Sequence, residues 1–242
     1  MKREYHKWFS NHLGRDMELL VFGHQGRAVL LFPTRMARFY DYENWGIVNA
    51  LSPQIEQGEI QLFCLDSIDQ ESFYNDSVFP SVRIARHLQY ERYIINEVLP
   101  LVNLKNSNDY IETAGFSMGA FHAINLAMRH PQFFKKTVGI SGRYDLTQCQ
   151  PPFHDLLNGF RDDLVYYNMP EQYLTNLNDA NVINQIKNME IIIAVGETDP
   201  FLESNKYISK VLSEKGIANN FYTWDSDAHR PHYWRKMAPL YI

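Results

Sequence analysis

The chain has 242 residues, a formal net charge of −5 and 45% hydrophobic residues. This length fits one α/β domain over residues 1–242 and excludes a second domain of similar size. The basic residues are scattered, which argues against a nucleic-acid or anionic-membrane surface and favours small, mostly uncharged partners. No apolar run is long enough to span a bilayer and the N-terminus lacks an apolar signal core, so we expect a cytoplasmic protein.

Strand-like runs recur along the chain, and helical patterns separate most of the later ones. The runs cover residues 18–22, 28–32, 60–65, 110–116, 137–141, 191–195 and 220–224. The first two flank Gly23-His-Gln-Gly26 and predict an antiparallel hairpin that leads into the parallel part of the sheet. Alternating strands and helices predict an α/β fold with a mainly parallel sheet covered on both faces.

Two helices and one irregular segment are readable between these strands. Residues 81–99 have amphipathic spacing that we expect Pro100 to stop, and residues 201–215 form a helical pattern ended by Gly216. The segment 148–181 breaks the alternation and is rich in aromatic residues. It predicts either a cap inserted over the site or a pair of surface helices.

Only two cysteines, Cys64 and Cys149, are present, and they lie far apart in the sequence. We predict buried free thiols rather than a disulfide. No cysteine spacing typical of a metal site exists, and we expect neither a metal nor a cofactor.

The sequence Gly115-Phe116-Ser117-Met118-Gly119 joins a strand-like run to a helical pattern. This is the sequence form of a nucleophile elbow, in which the glycines permit a sharp turn and close helix–strand packing. We predict that Ser117 is exposed above the sheet as a nucleophile. The N-terminal amides of the following helix would point to the same spot and favour an oxyanion there.

A serine hydroxyl needs a histidine base, and the histidine needs a carboxylate that sets its tautomer. The expected order along the chain is serine, then aspartate or glutamate, then histidine. The strand at 191–195 ends in Gly196-Glu197-Thr-Asp199-Pro200, which offers two carboxylates. Asp199 has a second role to consider, because it precedes Pro200 and a helix and could act as the helix cap.

Nine histidines are present, and two of them follow the last predicted strand. His229 lies on the loop, whereas His232 follows Pro231 and belongs to the first turn of the closing helix. Asp225 and Asp227 precede them and suit a turn better than a metal site. His122 and His130, on the helix after the serine, suit packing or capping.

An oxyanion hole needs two donors. The amide of Met118, the residue after the nucleophile, is one. The second should come from the loop after the strand at 28–32, which is Pro33-Thr34-Arg35-Met36. We assign it to the amide of Arg35, with Thr34 as the next choice.

With these segments in place, the chain resembles the putative-esterase family of α/β-hydrolases, which includes esterase D, ferulic-acid and enterobactin esterases and the antigen 85 mycolyltransferases. The resemblance extends from about residue 29 to residue 234. The matching segments are Tyr90-Glu91, Glu97-Val-Leu-Pro100, Ala114-Gly-Phe-Ser-Met-Gly-Ala120, His130-Pro131-Gln-Phe133, Gly196-Glu-Thr-Asp199, and His229 five positions before Trp234. That last spacing resembles the ending of the family, which favours His229 over His232, and the family pattern favours Asp199 over Glu197.

The chain departs from the family pattern at two places: Pro33-Thr34 stands where His-Gly is usual, and Arg230-Pro231 stands where Asp-Trp is usual. The resemblance implies a serine hydrolase that cleaves a small-molecule carboxylic ester through Ser117, His229 and Asp199 and an acyl-enzyme. Acyl transfer to an alcohol, as in the family's transferases, is one alternative. A binding protein that has lost catalysis is another, motivated by Pro33-Thr34.

The sequence leaves two further matters open and closes one. The natural ester is not determined, because acyl and alcohol selectivity depend on how the segment 148–181 folds over Ser117. The oligomeric state is also open, because the aromatic residues suit either a covered pocket or the interface of a homo-oligomer. A dehydrogenase is disfavoured, since the first strand–helix turn lacks a phosphate-binding glycine fingerprint.

Overall fold

One eight-stranded sheet runs through the protein, for which a computed structural model describes residues 1–242. The strands are β1 (Arg3–Ser10), β2 (Arg15–Phe22), β3 (Arg27–Phe32), β4 (Ile60–Leu65), β5 (Ile111–Phe116), β6 (Lys136–Ile140), β7 (Glu190–Gly196) and β8 (Asn220–Trp224). Their spatial order is β1-β2-β4-β3-β5-β6-β7-β8. The β1–β2 and β2–β4 pairs are antiparallel and the others are parallel, which confirms the predicted α/β-hydrolase fold.

The N-terminal hairpin forms from different strands than the sequence suggested. Its partners are β1 and β2, and β2 pairs next with β4, so β3 does not touch β2. The prediction that the runs at 18–22 and 28–32 pair was therefore wrong. The strand β1 was missed because it lies at an edge: most of its residues are polar or charged, and Ser10 alone is buried. Such a strand has little apolar signal.

Helices cover both faces of the sheet. They are α1 (Asp41–Asn44), α2 (Ile47–Ala50), α3 (Ser52–Glu56), α4 (Pro80–Tyr93), α5 (Leu99–Lys105), α6 (Met118–Arg129), α7 (Asp163–Tyr166), α8 (Pro170–Asn176), α9 (Ala180–Lys187), α10 (Leu202–Glu214) and α11 (Pro231–Tyr241). One apolar layer packs α4–α6 and α8–α10 on the sheet, and the second packs α1–α3 and α11 on the opposite face. Parallel strands buried on both faces explain the continuous apolar runs of β4 and β7.

Pro100 lies inside a helical stretch and does not stop it, which corrects the sequence prediction. A π-helical turn, Ile94–Val98, joins α4 to α5, and Pro100 is in the first turn of α5. Proline lacks an N–H and its ring crowds the carbonyl four residues earlier. The wider π turn before it accommodates the ring, and the chain stays helical. The end of α10 is as predicted, since Gly216 follows it with φ +67°.

The two cysteines occupy different environments. Cys64 is a buried free thiol in β4, as predicted, whereas Cys149 is free but exposed, so the prediction of burial was wrong for it. Cys149 lies in the irregular segment after β6, where the chain does not pack into either apolar layer. Among the helices, none has the length and apolar character needed to cross a membrane.

Candidate active site

Ser117 lies on a strained turn between β5 and α6. Its backbone has φ 56° and ψ −119°, a left-handed region that residues other than glycine rarely occupy. The Ser117 N–H donates to the carbonyl of Ile140 on the neighbouring strand β6 at 2.8 Å, which holds the turn in place. The hydroxyl therefore projects beyond the carboxyl end of the sheet, where ligand sites of open α/β sheets form.

Gly115 and Gly119 are required by close backbone contact. A Cβ on Gly115 would overlap the backbone of Gly119, and a Cβ on Gly119 would overlap the carbonyl oxygen of Phe32 at the end of β3. Both glycines thus bring the start of α6 against β5 and β3. The spacing that the sequence analysis singled out has a steric cause.

His229 bridges Ser117 and Asp199. Its Nε2 lies 3.0 Å from Ser117 Oγ and its Nδ1 lies 2.9 Å from Asp199 Oδ2. The Asp199 side chain is fully buried and the His229 side chain is 19% exposed. With a proton on Nδ1, the imidazole donates to the carboxylate and presents the Nε2 lone pair to the hydroxyl.

Asp199 uses its two oxygens for two different partners. Oδ1 accepts a hydrogen bond from the Phe201 N–H at 2.8 Å, at the start of α10, while Oδ2 faces His229. Asp199 is not the cap of this helix, because the N-cap of α10 is Phe201 and no side chain caps it; Oδ1 stabilises the turn before the helix, and Oδ2 is left for His229. The loop that carries Asp199 begins at Gly196, and the backbone of Asp227 lies directly against this glycine. Any Cβ at this position would collide with that backbone, so the close approach requires glycine.

Two aromatic rings hold the imidazole in this orientation. Phe201 and Trp234 meet the His229 ring edge-on, with centroids 5.6 Å and 5.7 Å away. The five-residue spacing from His229 to Trp234 thus reflects a packing contact across the first turn of α11. The contact of Phe201 was missed, since nothing in the sequence links it to a histidine nearly thirty residues later.

The loop after β3 lies beside the serine and is held in place by a hydrogen bond to Asp69. Met36 has φ 56°, and its N–H donates to Asp69 Oδ2 at 2.9 Å. The other oxygen of Asp69, a buried residue, lies 3.2 Å from Nε2 of His122, which is also buried. The Arg35 N–H has no backbone or side-chain acceptor, and that of Met118 is in the first turn of α6, where amides lack intrahelical partners. Asp69 was not anticipated from the sequence.

A cavity of about 280 Å³ opens over Ser117. It contains both amide-bearing residues proposed from the sequence, Arg35 and Met118, together with Ser117 and His229. Its other walls are Thr34, Tyr74, Arg143, Leu146, Phe153, Phe201 and Trp234. Phe153 comes from the segment 148–181, whose helices α7 and α8 pack beside α4, α6 and α10 rather than over the serine.

The competing candidates lie away from this cluster. Glu197 is exposed on the loop after β7, and His232 is exposed on α11. Asp227 faces Arg230 at 3.4 Å. No group of three or more histidine, cysteine, aspartate or glutamate side chains is arranged to hold a metal ion.

An α/β-hydrolase fold with a serine on the turn after β5 is the architecture of serine hydrolases. A family model described as "Putative esterase" matches residues 37–234, and the chain belongs to that family of carboxylic ester hydrolases. No curated protein sequence matches the chain.

Solved structures of esterases share the fold over nearly the whole chain. A ferulic acid esterase is 18% identical with a TM-score of 0.77, over 99% of this chain and 95% of its own. The fluorophosphonate-binding serine hydrolase FphF of Staphylococcus aureus is 16% identical with a TM-score of 0.72, over 99% and 96%. The S-formylglutathione hydrolase FrmB of the same organism is 17% identical with a TM-score of 0.67, over 98% and 94%.

Proposed function

We propose that the protein hydrolyses a carboxylic ester through a triad of Ser117, His229 and Asp199 and a covalent acyl-enzyme. The observation that carries this proposal is the bridging imidazole, 3.0 Å from Ser117 Oγ on one side and 2.9 Å from Asp199 Oδ2 on the other. Both distances lie within hydrogen-bond reach, which proton transfer requires.

In the acylation half of the reaction, Ser117 Oγ attacks the ester carbonyl carbon and His229 Nε2 takes the hydroxyl proton. Asp199 stabilises the imidazolium and keeps the proton on Nδ1. The N–H groups of Met118 and Arg35 donate to the oxyanion, and the positive end of the α6 dipole adds to this stabilisation. The tetrahedral intermediate collapses when the imidazolium protonates the leaving alcohol, which leaves the acyl group on Ser117.

Deacylation uses the same groups with water in place of the alcohol. His229 Nε2 removes a proton from water, the hydroxide attacks the acyl carbonyl, and the returned proton restores the Ser117 hydroxyl as the carboxylic acid leaves. The catalytic roles of the oxyanion loop need no reactive side chain. The loop after β3 contributes only the Arg35 amide, so the departure from the family pattern at Pro33-Thr34 does not argue against this mechanism.

Labelling with a fluorophosphonate probe and peptide mapping tests the nucleophile. We expect modification of Ser117 alone, and loss of both labelling and hydrolysis of p-nitrophenyl esters in Ser117→Ala. A series of p-nitrophenyl esters with increasing acyl length then measures the acyl space of the cavity. Unchanged esterase activity in a folded Ser117→Ala variant would refute the assignment.

Acyl transfer to an alcohol shares every step up to the acyl-enzyme. Adding an acceptor alcohol to the p-nitrophenyl ester assay separates the two reactions. Hydrolysis predicts that release of p-nitrophenol stays near its rate in water alone. A transferase predicts that the acceptor raises this rate well above that of water and that the new ester accumulates.

A further inference from the structure

Arg143, on the loop after β6, is a buried guanidinium with unused hydrogen-bond donors. It is only 7% exposed. Its Nη2 donates to the carbonyls of Leu146, Gln148 and His154, whereas Nε and Nη1 have no protein acceptor. The two N–H groups of Nη2 are shared among these three carbonyls and anchor the loop, which leaves Nε and Nη1 free for a ligand.

Two carboxylates, Asp145 and Asp155, act on the charge of Arg143, but neither forms an ion pair with it. Asp145 accepts hydrogen bonds from Thr147 at 2.8 Å and from Gln172 at 3.0 Å, and Asp155 is paired with Arg161 at 3.0 Å. Burial lowers the pKa of the Arg143 guanidinium. A guanidinium nevertheless keeps its charge at neutral pH, so the site contains a desolvated cation without an ion-pair partner.

Arg35 and Tyr74 share the wall with Arg143. The Arg35 guanidinium lies 5.9 Å from the centre of the Tyr74 ring, and the Tyr74 hydroxyl has no protein partner. Burial raises the pKa of Tyr74, so its hydroxyl stays protonated and can donate a hydrogen bond. These three residues separate the cavity over Ser117 from a neighbouring cavity of about 480 Å³.

The balance of charge differs between the two cavities. The cavity over Ser117 contains two cationic side chains, Arg35 and Arg143, and no carboxylate among its walls. The neighbouring cavity adds Asp76 and Asp155, but Asp76 is paired with Arg83 at 3.0 Å and Asp155 with Arg161. A protein with a net charge of −5 therefore presents local positive charge beside its nucleophile.

We propose that Arg143, Arg35 and Tyr74 bind a carboxylate of the substrate, so that the preferred esters are those with an anionic group in addition to the scissile bond. The Arg35 guanidinium can donate two parallel hydrogen bonds to a carboxylate. Arg143 can donate to it singly from Nε or Nη1, because Nη2, which belongs to both parallel pairs of a guanidinium, is bound to the loop carbonyls. The inference rests on the proposed function, since the anionic group is placed relative to an ester bound at Ser117. It departs from the mostly uncharged partners that the composition favoured.

Matched ester pairs test this inference. For a charge on the alcohol side, para-acetoxybenzoate is compared with para-acetoxybenzamide. For a charge on the acyl side, the mono-para-nitrophenyl ester of adipate is compared with methyl para-nitrophenyl adipate, in which the second carboxyl is a methyl ester. In each pair the two members differ mainly in charge, so the ratio of kcat/KM for the anionic and neutral members cancels changes in the chemical step.

We expect the anionic member of at least one pair to be preferred, and the preference to fall about tenfold or more in Arg143→Gln, the scale of one charge-assisted hydrogen bond. Arg35→Gln should reduce the same ratio by a smaller factor, because Arg35 is exposed. Raising the salt concentration to about 0.5 M should also weaken the preference in the wild-type protein.

Arg92→Gln is the matched control, because Arg92 is exposed on α4 and lines neither cavity. It removes one positive charge and should leave the ratio unchanged. Arg143 also anchors a loop, so the melting temperature of Arg143→Gln is measured first. If that variant does not fold, the kcat/KM ratio of anionic to neutral ester in Arg35→Gln decides whether the arginines bind the carboxylate.

The inference is overturned if neither anionic ester is preferred, or if the ratio is the same in wild type and in the folded arginine variants. A purely structural role for Arg143 predicts this second result, because loss of the loop anchor lowers both rates together. Failure of the proposed function looks different. In that case neither the anionic nor the neutral esters are hydrolysed, or both are hydrolysed equally by Ser117→Ala.

Discussion

The two oxygens of Asp199 make Asp199→Asn an informative substitution. An asparagine has one carbonyl oxygen and one amide nitrogen, whereas the wild-type carboxylate accepts from both Phe201 N–H at 2.8 Å and His229 Nδ1–H at 2.9 Å. If the amide oxygen faces His229, the amide nitrogen meets the Phe201 N–H, and two donors oppose each other. A buried N–H left without an acceptor costs about 1–3 kcal/mol.

The opposite orientation keeps a partner for both the Phe201 N–H and Nδ1 of His229. The asparagine oxygen accepts from Phe201, and its nitrogen donates to Nδ1 of His229, which forces the proton of the imidazole onto Nε2. We expect this orientation because it does not place two donors against each other. Nε2 then cannot accept the Ser117 proton, so kcat should fall about 10³–10⁴-fold. At about 1.36 kcal/mol per tenfold, this corresponds to a barrier higher by roughly 4–5.5 kcal/mol.

The assay is the kcat for a p-nitrophenyl ester, together with the melting temperature. The Asn variant should fold with little change in melting temperature, because its hydrogen bonds are replaced one for one. Glu197→Gln is the control: it removes a carboxylate two residues away that is exposed, and it should retain kcat. The reasoning is refuted if Asp199→Asn keeps more than about a tenth of the wild-type kcat, or if the control loses as much.

Three further predictions concern the surroundings of the triad. Asp69→Asn should lower kcat by about tenfold with little effect on KM, because a neutral side chain holds the Met36 N–H, and with it the loop after β3, less firmly. Equal loss in kcat and in stability would instead indicate a general structural role. Trp234→Leu should reduce the rate of fluorophosphonate labelling, because the His229 ring loses its edge-on neighbour at 5.7 Å; circular dichroism checks that α11 is intact, and an unchanged labelling rate contradicts the prediction. Burial, together with the neighbouring His122, lowers the pKa of His87 to about 3. Only the unfolded chain then takes up this proton between about pH 6.5 and 3, so stability falls as the pH drops, by about 2 kcal/mol at pH 5. His87→Phe should make the urea-derived free energy of unfolding less steep over that range, and an identical pH profile would count against it.

The inner parallel strands were predictable because they are buried on both faces, whereas the edge strand β8 was predictable from its β-forming residues Phe221-Tyr-Thr-Trp224. The runs at 60–65 and 220–224 coincide with β4 and β8, and the other predicted strands differ by a few residues at their ends. The order of β2, β3 and β4 was not predictable, because pairing depends on contacts between segments far apart in the sequence. Local rules also placed a helix end at Pro100, where a π turn changes the outcome.

For the site, the residues that can be read from a motif were identified, and those that act through tertiary contacts were not. Ser117, Asp199 and His229 lie together in space, although their catalytic roles stay a prediction. Asp69 and Phe201 support them from segments with no motif of their own. An aspartate between two unremarkable loop residues carries no signal until the fold places it under the loop after β3.

The contact between Gly119 and the carbonyl of Phe32 allows substrate selectivity to change during evolution while the reaction centre stays the same. The distance from the serine to the loop of Arg35 is fixed by two backbones that touch, with no side chain between them. The walls of the cavity, by contrast, are side chains on independent loops, such as Phe153 and Arg143. Those walls can diverge in sequence while the reaction centre keeps its shape, so relatives with this backbone can come to accept different esters without rebuilding the catalytic groups.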